Sequence, residues 1–347
     1  MPSAAPAPDR GPARRPSLSR PLRLSVTGAG LAFIAWLLWD LGPAAVWSTI
    51  HALGWRLAVV VFIPFGAAVV LDTIGWSVLL PGCRVGWARL AGARLAGEAV
   101  NLATPTASVG GEPLKAYLVR DHVTLDLGLA SVIVDKTSVV IGQAVFLAGG
   151  LGLALAALAP PREVIMAMTV LLIAEAIGAG GFALVQLRGG VPGAGRVLQR
   201  LGIGPAQSHR ALLHDVDRRL ADLYRERWAR VVASTLFHAG GWAVGGLEIY
   251  VVLGLAGIPV DLTTAFVLEA VNSAVRFATF MIPGSLGALE GGNVAAFAVF
   301  GLPAAAGLSF SLVRRLRETT WALIGLVALA GFKARPAGPP ADRLSAA

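Results

Sequence analysis

The chain has a single cysteine, Cys83, which excludes an intramolecular disulfide and a thiolate metal cluster and leaves it as a small packing residue. Its five histidines, His51, His122, His209, His214 and His238, show neither HExxH nor paired i,i+4 spacing. No metal site is therefore expected. Nucleotide-binding motifs are also missing, and no cofactor is expected. Charged residues make up only 14% of the chain. The net charge is nevertheless +9, because the arginines collect in the gaps between apolar runs rather than on an amphipathic face. That pattern argues against nucleic acid and makes the phosphate of lipid headgroups the expected anionic partner.

What the sequence has in abundance is apolar residues, 56% of the chain, above the roughly 45–50% of soluble domains. The hydrocarbon core of a bilayer is about 30 Å thick, so runs of about 20 apolar residues are the units to count. The expected fold class is an all-α integral membrane protein with six transmembrane helices and two oppositely oriented re-entrant hairpins. Residues 1–21, with Arg10, Arg14, Arg15 and Arg20, form an expected disordered basic cytoplasmic arm. A single membrane domain is expected over 22–332. Its spans are Leu22–Trp39 (uncleaved), Leu57–Leu80, Leu127–Leu158, Val164–Leu187, Val231–Leu255 and Ala306–Phe332. Gly178, Gly180 and Gly181 are read as allowing close helix packing. Residues 188–230 hold nine arginines and are read as a cytoplasmic loop, with an amphipathic interfacial helix around Leu212–Trp228. The tail 333–347 is read as cytoplasmic, like the N-terminus, in a bacterial-type inner (plasma) membrane.

Two segments are too polar to face lipid and too apolar for a solvated loop. Arg94–Lys115 contains Glu98, Asn101, Pro105, Gly110, Gly111 and Glu112; Leu262–Pro303 contains Glu269, Asn272, Arg276, Pro283, Gly284, Gly287, Glu290 and Asn293. Both are read as re-entrant hairpins broken at the proline and glycines, since irregular backbone at membrane depth is tolerated where protein or a wet cavity covers it. They also resemble each other. Glu98–Asn101 and Glu269–Asn272 share a spacing of three, and Glu112 and Glu290 each follow a proline by seven. Asp135 and Lys136 then lie 23 and 24 residues after Glu112, and Arg314 lies 24 after Glu290. With the first hairpin entering from the cytoplasm and the second from outside, half 1 (57–187) and half 2 (231–332) form an inverted pseudo-repeat, the architecture of alternating-access transporters.

An ionised side chain at the centre of a lipid-facing helix costs about 2.5–3.5 kcal/mol, so these charges must face inward and pair. Arg94, Glu98, Asn101 and Pro105 share one helix stripe, as do Glu269, Asn272 and Arg276. The candidate substrate-binding residues are Glu98, Asn101, Glu112, Lys115, Asp135, Lys136, Glu269, Asn272, Arg276, Glu290, Arg314, Arg315 and Glu318. The competing reading makes them fasteners between helices, with Asp135 paired to an arginine and Glu318 to Arg314, and leaves Glu248 as a lone acid near a membrane end.

The runs NLATPTASVGGEPLKAYLV, SVIVDKTSVVIGQ and FMIPGSLGALEGGNVAAFAVFGLPAAAGLS resemble the lysylphosphatidylglycerol synthase transmembrane-region family, also called flippase-like. The similarity covers most of residues 25–332. In full-length synthases of that family a flippase moiety precedes an aminoacyl-transferase domain. This chain ends soon after its last expected span, so the transferase activity is not expected of it. GGEPLKAYL with the Asp135–Lys136 pair also resembles stand-alone members associated with hopanoid biosynthesis. The resemblance nominates Glu112, Glu290, Asp135, Lys136, Arg314 and Arg315. Together these readings predict a non-enzymatic lipid translocase with a polar, electropositive midplane cavity, a membrane lipid as substrate and lipid-biosynthesis enzymes as possible partners. The alternatives are an accessory subunit or enzyme of hopanoid or glycolipid biosynthesis, and a secondary transporter of a small solute.

Overall fold

The computed structural model describes residues 35–36, 39–40, 43–103, 110–188, 190 and 210–332. All regular structure among them is helical. In chain order the helices are α1 (Pro43–Leu53), α2 (Arg56–Ser77), α3 (Trp87–Ala103), α4 (Glu112–Leu118), α5 (Leu125–Leu153), α6 (Arg162–Leu187), α7 (Arg210–Arg225), α8 (Trp228–Leu255), α9 (Leu262–Ala278), α10 (Ala288–Val299) and α11 (Ala304–Gly331). A π-helical turn, Ala154–Leu158, prolongs α5, and Ala159 in the left-handed region (φ 42°) then turns the chain into Pro160 and Pro161.

Among the described residues four helices are long and apolar enough to cross a membrane: α2, α5 with its π turn, α6 and α8. Their outer faces carry Ile63, Val170, Ile177 and Leu236, all exposed, as a lipid-solvated surface requires. The expected span Leu22–Trp39 lies almost wholly outside the described residues, as do the expected arm 1–21 and the tail 333–347. The last expected span exists as α11. It differs from the other four in carrying Arg314, Arg315, Arg317 and Glu318, with Arg314 and Arg317 buried. Sequence reading passed over α1, which packs Leu53 into the core beside Val60, Leu253 and Phe310.

Each interrupted segment is a broken helix pair, α3–α4 and α9–α10. The first break, with Pro105, lies outside the described residues. The second is a 3₁₀ turn, Pro283–Ser285; Gly284 (φ 59°) and Gly287 (φ 80°) adopt the left-handed region that glycine enters without a Cβ penalty. In both halves the order is lead helix, broken pair, last helix: α2, α3–α4, α5 and α8, α9–α10, α11. The halves interlock. α2 packs along α8, α3 of the first broken pair rests on α11, and α9 rests on α5.

Two local expectations are corrected. Gly178, Gly180 and Gly181 have open space beside them, so they mediate no helix packing among the described residues. Close approach occurs instead at Gly142 against α8, Gly150 against Ala270 and Gly325 against Leu95. Within 188–230 the amphipathic helix ends at Arg225, and Trp228 already belongs to α8. Its apolar face (Val216, Leu220, Leu223) packs on Leu79, Ala130 and Val134, so protein rather than the bilayer interface covers it. Arg219 fixes it to Asp126 of α5 at 2.8 Å.

Candidate functional site

Two buried arginines organise the middle of the molecule. Arg94 of α3 lies 3.1 Å from Asp72 of α2 and 3.2 Å from Asp135 of α5. His238 of α8 closes this cluster, with Nδ1 2.7 Å from Asp72 and Nε2 2.9 Å from Asp135. Arg314 of α11 lies 3.1 Å from Glu248 of α8 and 2.7 Å from Glu269 of α9, and Arg317 also pairs with Glu248. Each cluster thus joins the lead helix, the broken pair and the last helix of one half.

The two clusters occupy matching registers. Counted from the helix starts Trp87 and Leu262, Arg94 and Glu269 stand at the same position; counted from Leu125 and Ala304, so do Asp135 and Arg314, and Lys136 and Arg315. The pairing is repeated with its polarity reversed: the arginine is on the broken pair in half 1 and on the last helix in half 2. The expected pairing of Asp135 with an arginine holds, and that of Glu318 with Arg314 is corrected. Asp135 pairs with Arg94 and His238; Glu318 pairs with Arg276 at 3.0 Å and Arg315 at 3.1 Å, not with Arg314. Glu248, expected to be a lone acid, sits between two arginines.

Both clusters border one cavity of about 620 Å³ between the halves. Of the sequence-nominated residues, Glu98, Asn101, Lys115, Asp135, Lys136, Glu269, Arg276, Arg314 and Glu318 line it. Its cations are Arg94, Lys115, Lys136, Arg276, Arg314 and Arg317, and its acids are Asp72, Glu98, Asp135, Glu248, Glu269 and Glu318. Among the described residues six stand against six. With His238 also in the lining, the wall is close to charge balance rather than strongly electropositive, because sequence reading missed Asp72 and misplaced Glu248. Lys136 and Arg276 retain the most exposure among the lining cations whose ion pairs are resolved, 30% and 34% of their side chains. The remaining wall is mostly aromatic and apolar, including Phe65, Phe182, Trp242, Phe277, Phe280 and Trp321, with Thr137, Gln143 and His238 as its polar members. Arg317 stacks on Phe65 at 4.6 Å and Trp321 donates to the Val61 carbonyl at 2.9 Å, which ties α11 to α2.

The other nominated residues stand behind the cavity, near the helix ends on either side of the breaks. Glu112 accepts from Asn101 Nδ2 at 3.2 Å and Lys115 Nζ at 3.2 Å, and Asn101 Oδ1 accepts from the Gly111 amide at 2.7 Å. Lys115 also donates to Glu98 at 2.9 Å. On the opposite side Arg315 donates to Glu290 at 2.6 Å and to the Gly284 carbonyl at 2.7 Å, and Glu290 accepts from the Gly287 amide at 2.7 Å. Asn272 donates to Glu269 at 3.3 Å and lies with Glu290 and Arg315 outside the main cavity. A carboxylate and a cation thus pin the second break, and another such pair stands at the described ends beside the first. Gly110 begins the turn into α4, and Gly111 packs on Gly97, where a Cβ would lie 1.9 Å from the Gly97 carbonyl oxygen.

Asp72, His238, Glu248, Arg317 and Glu175 were not nominated from sequence. The available signal was a lone ionisable residue inside an apolar run, which is a functional-site hypothesis by default. Glu175 of α6 is buried with neither oxygen partnered among the described residues. Those residues contain no cluster of side chains suited to a metal ion.

No curated protein and no solved structure matches the chain. A family model for the lysylphosphatidylglycerol synthase TM region matches residues 22–327, and the chain, a multi-pass membrane protein, belongs to that family.

Proposed function

We propose that this protein is a lipid translocase of the flippase type, carrying the headgroup of a phospholipid or hopanoid lipid between leaflets while the tails stay in the bilayer. The supporting observation is the cavity between the halves, which sets two buried charge clusters beside an aromatic wall. An amphipathic cargo needs that combination: fixed charges and hydrogen-bond donors for its polar end, and apolar surface where the tails leave. The balanced charge lining favours a headgroup with both an anionic phosphate and a cationic or hydroxyl group. Lys136 and Arg276, the more exposed cations, are the phosphate contacts in this reading, and Glu98 faces the other end. In the same reading α3–α4 and α9–α10 are re-entrant hairpins entering from opposite faces of a plasma membrane, with both termini cytoplasmic.

The test is redistribution of fluorescent phospholipids and hopanoids in proteoliposomes, comparing the natural protein with Lys136→Gln and Arg276→Gln. Faster exchange between leaflets than in protein-free vesicles, reduced at least about tenfold by either substitution, is expected; each lost charged contact is worth about 1.5–3 kcal/mol. Absence of exchange for every lipid, with product formed from a lipid precursor instead, would favour an enzyme of lipid modification. Uptake of a soluble solute without lipid movement would favour a solute transporter.

A further inference from the structure

A neutral imidazole carries one N–H, so it can donate to one carboxylate only. Both ring nitrogens of His238 lie within hydrogen-bond distance of a carboxylate oxygen, Asp72 at 2.7 Å and Asp135 at 2.9 Å. With a neutral ring one of these contacts would set a nitrogen lone pair against an oxygen lone pair. The geometry therefore calls for one more proton.

We propose that His238, held between Asp72 and Asp135, binds and releases the proton that drives lipid movement; this rests on the translocase reading and adds its energy source. With the imidazole protonated, Asp72 and Asp135 are balanced by Arg94 and His238, just as Glu248 and Glu269 are balanced by Arg314 and Arg317. An arginine does not release its proton in a protein. His238 fills the place of the second arginine with a group that does.

The position gives that proton mechanical effect. His238 belongs to the lead helix of half 2, whereas both carboxylates and Arg94 belong to half 1. Loss of the proton leaves a net negative cluster with one repulsive contact, and its relief separates α8 from α2 or α5. Glycines leave room for the residue: a Cβ at Gly75 would lie 2.9 Å from the ring Nε2, and one at Gly142 3.1 Å from the His238 Cβ. Other charges do not compete for it. From α9 and α11 the groups nearest α8 are Glu269, Arg314 and Arg317, engaged with Glu248 or beside Gly245 two turns on, while α1 and α7 meet α8 near Leu253 and Val231 with apolar side chains.

The experiment uses the full chain in phosphatidylcholine/phosphatidylglycerol vesicles with fluorescent phosphatidylethanolamine and an imposed pH gradient. For one proton per lipid the steady ratio of label between leaflets shifts about tenfold per pH unit. In His238→Gln and in Asp72→Asn that ratio becomes independent of the gradient, whatever the remaining rate. Label that moves in the natural protein without regard to the gradient, or a His238→Gln response equal to the natural one, would overturn the coupling. If no label moves in the natural protein, the translocase reading fails, and the proton site is judged separately by ¹⁵N-histidine spectra in nanodiscs. The signal lost in His238→Gln should then show both ring nitrogens protonated at pH 7; a neutral ring would overturn the assignment.

Discussion

Gly97 and Gly111 touch backbone to backbone, so that a Cβ on Gly111 would sit 1.9 Å from the Gly97 carbonyl oxygen. This contact brings α4 onto α3 and places Lys115 between Glu98 and Glu112. Gly111→Ala should therefore destabilise by at least the roughly 1–3 kcal/mol of ordinary overpacking, because main chain rather than a movable side chain must yield. Gly149→Ala, in a helix with open space around it, should instead stabilise by about 0.5–1 kcal/mol. Thermal unfolding of the two variants in detergent should shift in opposite directions.

Arg314 neutralises two buried acids. Arg314→Met leaves Glu248 with Arg317 alone and Glu269 without its 2.7 Å partner, which should cost about 3–5 kcal/mol. Adding Glu269→Gln should recover a measurable part of that loss. Arg276→Met removes a partly exposed member of the Glu318 pair, and the expected cost is below about 1 kcal/mol. A double-mutant cycle with denaturant unfolding as readout checks the coupling.

Asp261 caps α9, accepting from the Thr264 amide at 2.9 Å and its hydroxyl at 2.6 Å, and these bonds hold its carboxyl below the usual range. The sign follows. Stability from this cap is full above the carboxyl's unfolded value near 3.9 and is lost as pH falls through its lowered folded value. Asp261→Ala should cost about 1 kcal/mol at neutral pH. Asp261→Asn should keep most of the cap while removing that component of the acid dependence, seen as a flatter profile of unfolding midpoint between about pH 5 and 2.

Cys83, in the turn between α2 and α3, has its thiol pushed up by burial, with Arg219 opposing weakly. A maleimide should label it more slowly than a free thiol at pH 7, gaining as pH rises. Since it is the sole cysteine, the label reports on one turn only. Under the topology proposed above, a membrane-impermeant reagent reaches it from the cytoplasmic side alone; labelling from the outer face would reverse the orientation.

The helices were largely legible, because runs such as Leu57–Leu80 and Val231–Leu255 are long, apolar and bounded by charge, and the observed α2 and α8 begin and end within a few residues of them. Charged residues that collect in polar segments, such as Glu112 or Glu290, were equally visible. Who pairs with whom was not. Asp72 and His238 lie 166 residues apart in sequence, and neither interrupts its apolar run enough to change the reading of that run. Spacing along a chain also does not separate an acid facing a cavity from one behind it. That distinction divides Glu98 from Glu112, and only the crossing of α3, α4 and α5 makes it.

The opposing charges around the cavity have an electrical consequence. A unit charge crossing 100 mV changes energy by about 2.3 kcal/mol, but the described lining of six cations and six acids carries no net charge of its own once the His238 proton is off. Under the proposed mechanism the resting voltage leaves the empty carrier indifferent, so any dependence of transport on membrane potential is a direct reading of the cargo and of the proton that accompanies it.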